Sequence, residues 1–331
     1  MTNAITMDRD SSELLALLRS LAIITIVVGH VGLFWLKRPW TEFLHVTVPL
    51  FFFISGAVSY YAFCRTPSVS SYLIKRSVGL LIPYYLMAVL ALLFFIIDHQ
   101  QLPQWSIESA WRWLTIAPNN ALMPFPLGQV WFLNVLLIIC LISPLLFRLI
   151  QRRSKLLWCW LAVAVLLAAL QHGWILGSQF WLLLHNFYKP VVHSLFFVLG
   201  ALWLSHASHW PALRFGWLTA LLLLATVTMA LGLDLEIDYA FHTYYPDLYY
   251  VSGSLAAIAA CCALQQPLLW LYRRPLLRPL FAFFFTHTLS VYLLHSLVIY
   301  GCDRWLSQAG ASLGGGWLVV KPLLVLALTA M

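Results

Sequence analysis

Apolar runs long enough to cross a bilayer recur along this whole chain, and they leave it few ways to fold. A hydrocarbon core of ~30 Å takes about 20 apolar residues in a helix, and many runs from Leu14 onward approach that length. Inside hydrocarbon each backbone N–H and C=O must be bonded within its own segment, so such runs become helices. Of the 331 residues 62% are hydrophobic and 9% charged, whereas a soluble domain carries about 25% charged residues. The expected fold is therefore all-α, a polytopic membrane helical bundle. Residues 1–331 are read as a single integral-membrane domain with no separate soluble domain.

Ten transmembrane helices are expected, over 14–36, 45–64, 77–97, 129–150, 155–171, 188–205, 213–232, 249–265, 280–301 and 315–331. The apolar stretch from Gly173 to Tyr188 is open to an interfacial or re-entrant reading. The N-terminus does not read as a cleaved signal. Asp8, Arg9, Asp10 and Glu13 precede the first run, and no small-residue cleavage site closes it.

The net charge of +8 suits basic loops on one side of a membrane better than nucleic acid, which is not an expected partner. With the N-terminus inside, twelve cations lie in inner segments: Arg9, Arg65, Lys75, Arg76, Arg148, Arg152, Arg153, Lys155, Arg214, Arg273, Arg274 and Arg278. Six lie outside: Lys37, Arg38, Arg112, Lys189, Arg304 and Lys321. That asymmetry puts both termini in the cytoplasm. Asp234, Glu236, Asp238 and Asp247 fall in one outer loop. The outer segment 98–128 carries Trp105, Trp111 and Trp113, and the other outer loop carries Tyr239, Tyr244, Tyr245, Tyr249 and Tyr250. Both sets read as interfacial anchors or as surfaces that stack on a sugar.

The six cysteines (Cys64, Cys140, Cys159, Cys261, Cys262 and Cys302) form no CxxC or Cys/His cluster. They read as small buried hydrophobes, and no metal is expected.

Polar residues at membrane depth are costly, and they mark candidate sites. The first span holds Arg19 and His30. Eleven residues at about 100° and ~1.5 Å each return to nearly one helix face, roughly 16 Å further along the axis. The pair reads either as a cationic end and a proton-handling end of one site, or as a structural histidine with a snorkelling arginine. Neutral imidazole accepts a proton near physiological pH, which a general base requires. Pro49 and Ser55-Gly56 in the second span permit close helix approach. Lys75 and Arg76 stand at the expected start of the third span, as topological anchors or as a grip on phosphates. The fourth span opens Gln129-Val-Trp131-Phe132-Leu133-Asn134. The ninth contains Ser290-Val-Tyr292-Leu-Leu-His295, with His287 on broadly the same side as His295.

In this order, these pieces resemble the membrane-bound acyltransferase family 3. They are the Arg-x10-His first helix, "PLFFFISG" in the second, "YLIKR" with "IPYYL" in the third, "WFL" in the fourth and "YLLH" in the ninth. The resemblance implies transfer of an acyl group, commonly acetyl, from cytoplasmic acyl-CoA to a hydroxyl of a cell-surface glycan, a lipid-linked sugar or another glycolipid. Relatives modify O-antigen, enterobacterial common antigen, exopolysaccharides, periplasmic glucans and antibiotics, which implies a multi-pass protein of the bacterial inner membrane. The family's first-helix residues map onto Arg19 and His30, with His30 as general base. Its basic motif maps onto Arg76, with Lys75 beside it as a donor-binding candidate. The second arginine of the family's Arg-x-x-Arg is Gly79 here, and Asn134 stands where some relatives carry glutamate. The implied co-substrate is acetyl-CoA, and membrane lipid surrounds the protein. The competing expectation is a transporter or flippase for a lipid-linked sugar or small solute, whose path the same polar residues would line.

Overall fold

The computed structural model describes residues 7–31, 45–104, 106–116, 129–171, 179–207, 210–233, 235, 242–243 and 245–306 together with 317–330. The described residues are mostly helical and contain no strand. The elements are α1 Arg9–His30, α2 Thr47–Arg65, α3 Val69–His99, α4 Ile107–Leu114, α5 Val130–Gln151, α6 Lys155–Gln171 and α7 Gln179–Leu202. A π-helical turn, Trp203–Ala207, continues α7. Then follow α8 Ala212–Gly232, α9 Leu248–Ala263, α10 Gln265–Tyr272, α11 Arg278–Thr286, α12 Thr288–Trp305 and α13 Trp317–Ala330.

Each expected span meets a helix. Among the described residues, six helices are long and apolar enough to cross a membrane, or eight if each of two bent pairs is one span. The expected segments 155–171 and 315–331 contain only shorter apolar helices, Lys155–Gln171 and Val320–Thr329. The bent pairs are α9 with α10, at 67°, and α11 with α12, at 83°. Pro267 sits in the first turn of α10, where its missing N–H is no loss. The second bend divides the expected span 280–301. Across it the Thr288 hydroxyl donates to the carbonyls of Phe284 (2.6 Å) and Phe285 (3.0 Å). Carbonyls released at a helix break must find such donors at membrane depth. The third helix also starts earlier than expected. Ser68 caps it by accepting from the Ser71 N–H, so Lys75 and Arg76 lie in its second turn.

The helices differ in how much of their apolar surface they bury. α3 and α8 expose Ile74, Ile82, Leu86, Leu213, Trp217 and Leu221, an apolar surface suited to hydrocarbon. α1, α2, α5 and the described part of α7 bury most of theirs. α2 and α7 cross at close range. A Cβ added at Gly56 would stand 1.8 Å from the Phe197 carbonyl oxygen, and one at Gly200 would stand 1.9 Å from that of Phe53. Each glycine thus admits the other helix's backbone, as the Ser55-Gly56 pair led us to expect. Across the bundle, Arg273 binds Glu13 (2.6 Å) and Asp10 (2.5 Å), fixing the start of α1 to the end of α10.

Substituting either glycine forces two backbones apart, at a cost of about 1–3 kcal/mol for each added group. Gly200→Leu is expected to eliminate the monodisperse peak in detergent size-exclusion chromatography. Gly216→Ala, where an added Cβ meets nothing within 4 Å, should leave that peak unchanged.

Candidate active site

Two polar stations lie along α1. At the first, Arg19, Lys75 and Arg76 line one cavity of about 180 Å³ together with Ser55, Ser59 and Gly79. Three sequence-predicted cations thus meet, one from α1 and two from the second turn of α3. The described residues lining this cavity include no carboxylate. Arg19 also lies over the Phe285 ring (5.5 Å), and Arg76 donates to the Val58 carbonyl (3.2 Å) while facing the Tyr72 ring (5.8 Å).

Prolines shape two walls of this cavity. Pro83 cannot donate to the carbonyl of Gly79, four residues before it, nor Pro144 to that of Cys140. Both Gly79 and Cys140 line the cavity. The Ser143 hydroxyl donates to the Cys140 carbonyl (2.8 Å), and Tyr72 bonds Ser143 in turn (2.9 Å). At Gly79 an added Cβ would meet nothing within 4 Å.

His30 is not part of this cavity. It stands at the far end of α1, where its Nδ1 lies 2.8 Å from His295 Nε2 on α12. The rings are stacked, 5.0 Å apart at 8°. His30 is accessible, and His295 is 1% exposed. His295 Nδ1 lies 3.3 Å from the Val291 carbonyl, which can only accept. In a neutral pair His295 Nδ1 therefore donates, and its Nε2 accepts from His30 Nδ1–H. The remaining lone pair is on His30 Nε2.

The motifs of α5 and α12 hold this second station. The Gln129 amide donates to Ser296 Oγ (2.5 Å), the Tyr292 hydroxyl donates to the Gln129 carbonyl, and Phe132 packs edge-on against Tyr292 (5.4 Å). Asn134 instead donates to the Thr115 carbonyl (3.3 Å) beside α4. The tyrosines of "IPYYL" also hold α4, since Tyr84 and Tyr85 donate to the carbonyls of Trp113 and Leu114, both 2.7 Å. Trp113 is buried, which removes it as a sugar platform, whereas Trp111 is exposed. Trp105, Tyr239, Tyr244, Lys37 and Arg38 lie outside the described residues, as does most of the acidic loop.

Sequence reading placed Lys189 only among the outer cations and did not single out His193 beside it on α7. Buried Lys189 places its ammonium 5.3 Å from the Trp131 ring and 5.8 Å from that of Tyr245. One turn on, buried His193 bonds the Lys189 carbonyl through Nδ1 (2.9 Å) and packs against Phe52 and Trp131. The only signal was a lysine and a histidine four apart inside an apolar run. Among the described residues no group of three His, Cys, Asp or Glu side chains could hold a metal ion.

The family model described as an acyltransferase domain, Acyl_transf_3, matches residues 14–331. The chain belongs to the acyltransferase family 3. The match takes in both stations and every helix from α2 to α13. No curated protein and no solved structure matches the chain.

The tautomers can be read directly. In nitrogen-15 histidine spectra of the reconstituted protein above pH 8, His30 and His295 should both carry the proton on Nδ1. Replacing His295 with Phe should release His30 from that form. A proton on His30 Nε2 in the native protein contradicts the pairing described here.

Proposed function

We propose that this membrane acyltransferase is an O-acetyltransferase that moves acetyl from cytoplasmic acetyl-CoA to a hydroxyl of a cell-surface glycan or lipid-linked sugar. It would work in the bacterial inner membrane with ten spans and both termini in the cytoplasm. The observation that carries the reading is the pair of stations on α1 of an acyltransferase-domain chain. One is a cavity with three cations, and the other a histidine with an oriented lone pair.

The roles follow from charge and geometry. Coenzyme A is a large anion, and Arg76 with Lys75 would bind its phosphates through charge-assisted hydrogen bonds. Arg19 shares their cavity and would meet the donor next. The long flexible arm of coenzyme A would carry the thioester along α1 from the cations toward His30. There the acceptor hydroxyl would lose its proton to His30 Nε2 as its oxygen attacks the thioester carbonyl. The new C–O bond forms, the C–S bond breaks, and the departing thiolate takes up a proton. His295 would act through His30 as a positioning residue, holding the ring and its tautomer.

The test uses labelled acetyl-CoA and membrane glycolipids as acceptors, with mass spectrometry for an acetyl-sized increase. His30→Ala should lower transfer by about 10²–10⁴-fold with the protein still inserted and monodisperse. Arg76→Ala should weaken acetyl-CoA binding about tenfold, the loss of one charge-assisted hydrogen bond of about 1.5 kcal/mol. Wild-type transfer by the His30 variant would reject the base assignment. Solute flux through proteoliposomes without acetyl-CoA would favour a transporter instead.

A further inference from the structure

A second cavity, of about 710 Å³, lies on the other side of α2 from the three cations. Phe53 lines it, whereas Ile54, Ser55 and Val58 line the basic cavity. Beside it α2 meets α7 closely, with Gly56 and Gly200 against opposing carbonyls.

The cavity is built from the end of α5, the start of α6, the π turn after α7, the start of α8 and the end of α9. Its interior is apolar, with Leu157, Trp203, Leu222 and Ile258 among its walls. Trp158 and Leu218 line it and are also exposed, at 65% and 41%, so it opens sideways onto the apolar outer surface. Hydrocarbon chains fit such a space, and water does not.

The mouth is of a different character. Arg153, Ser154 and His206 stand there, and the described lining residues include no carboxylate. Arg214 is held beside the mouth by stacking on Trp210, itself a lining residue, at 5.7 Å.

Two departures from regular backbone fall at this one rim. Arg153 has φ 49°, the left-handed region that a β-carbon disfavours. It is held there by the turn between α5 and α6, in which Arg153 N–H donates to the Ile150 carbonyl and Ser154 N–H to the Leu149 carbonyl, both 3.0 Å. The π turn Trp203–Ala207 carries Trp203 and His206 to the same cavity. The Arg153 turn closes α5 in the Schellman pattern, and inserted π turns are frequent at functional sites.

We propose that this cavity binds an anionic glycerophospholipid, with its acyl chains in the apolar interior and its phosphate at Arg153, His206 and Arg214. The occupant follows from charge complementarity. An apolar interior alone would accept any lipid, but a rim with two arginines and no carboxylate selects a negative head group. This site is separate from the acyl-transfer reading and stands or falls independently of it.

The test is native mass spectrometry of the delipidated full-length protein titrated with phosphatidylglycerol, phosphatidylcholine or a prenyl phosphate. The wild type should retain phosphatidylglycerol in preference to the other two. Arg153→Gln and Arg214→Gln should each lower that retention about fivefold, the share of one cation near an anionic head group, and leave phosphatidylcholine unchanged. Leu222→Trp, which fills the interior, should lower retention of both glycerophospholipids. Detergent melting curves confirm that each variant is folded. Equal retention of phosphatidylglycerol and phosphatidylcholine, indifferent to Arg153→Gln, would overturn the proposal, as would preferential retention of the prenyl phosphate.

Discussion

The arrangement of this protein depends on a helix broken beside α1. A straight helix over 278–305 would follow α1 in one direction only. The 83° bend between α11 and α12 lets one segment meet α1 twice. Before the bend, the Phe281 carbonyl accepts from the Ser20 hydroxyl (2.7 Å), and the Phe285 ring lies under Arg19. After it, Leu289 reaches the basic cavity and His295 reaches His30. The break would leave carbonyls without donors in an apolar setting, and Thr288 supplies the hydroxyl that satisfies two of them.

This geometry separates charge from proton chemistry. A cation close to a histidine disfavours its protonated form, and a base must accept a proton during reaction. Here Arg19 and His30 are roughly 16 Å apart along one helix, and the nearest ring partner of His30 is another imidazole. The cations occupy a small cavity with serine hydroxyls and two carbonyls that their own helices' prolines cannot serve. That setting suits a polyanion, because the described residues of the cavity offer the arginines no carboxylate to neutralise them.

Much of the outline could be read from the sequence, for a definite reason. Apolar length specifies a membrane helix with little help from tertiary contacts, so the expected segments coincide with helices. Arg19, Lys75 and Arg76 stood out because charge is rare at membrane depth, and they do line one cavity. The tight approach at Gly56 was visible as a small-residue pair, although its counterpart Gly200 was not. The bends were hidden, since Thr286-His287-Thr288 carries no proline or glycine at the 83° break. The partner of His30 was also hidden, because His295 is 265 residues away and only packing brings the rings together. The packing of Lys189 and His193 was hidden for the same reason, as their aromatic surroundings come from α2, α5 and the segment before α9.

The central claim is that His30 and His295 act as one unit, and a double-mutant cycle on acetyl transfer tests it most directly. Groups that work as a unit show strongly non-additive losses. His295→Gln in the native background should slow transfer about 100-fold through misplacement of the base. In a His30→Gln background it should cost nothing further. Losses that multiply in the double variant would show two independent histidines and contradict the account.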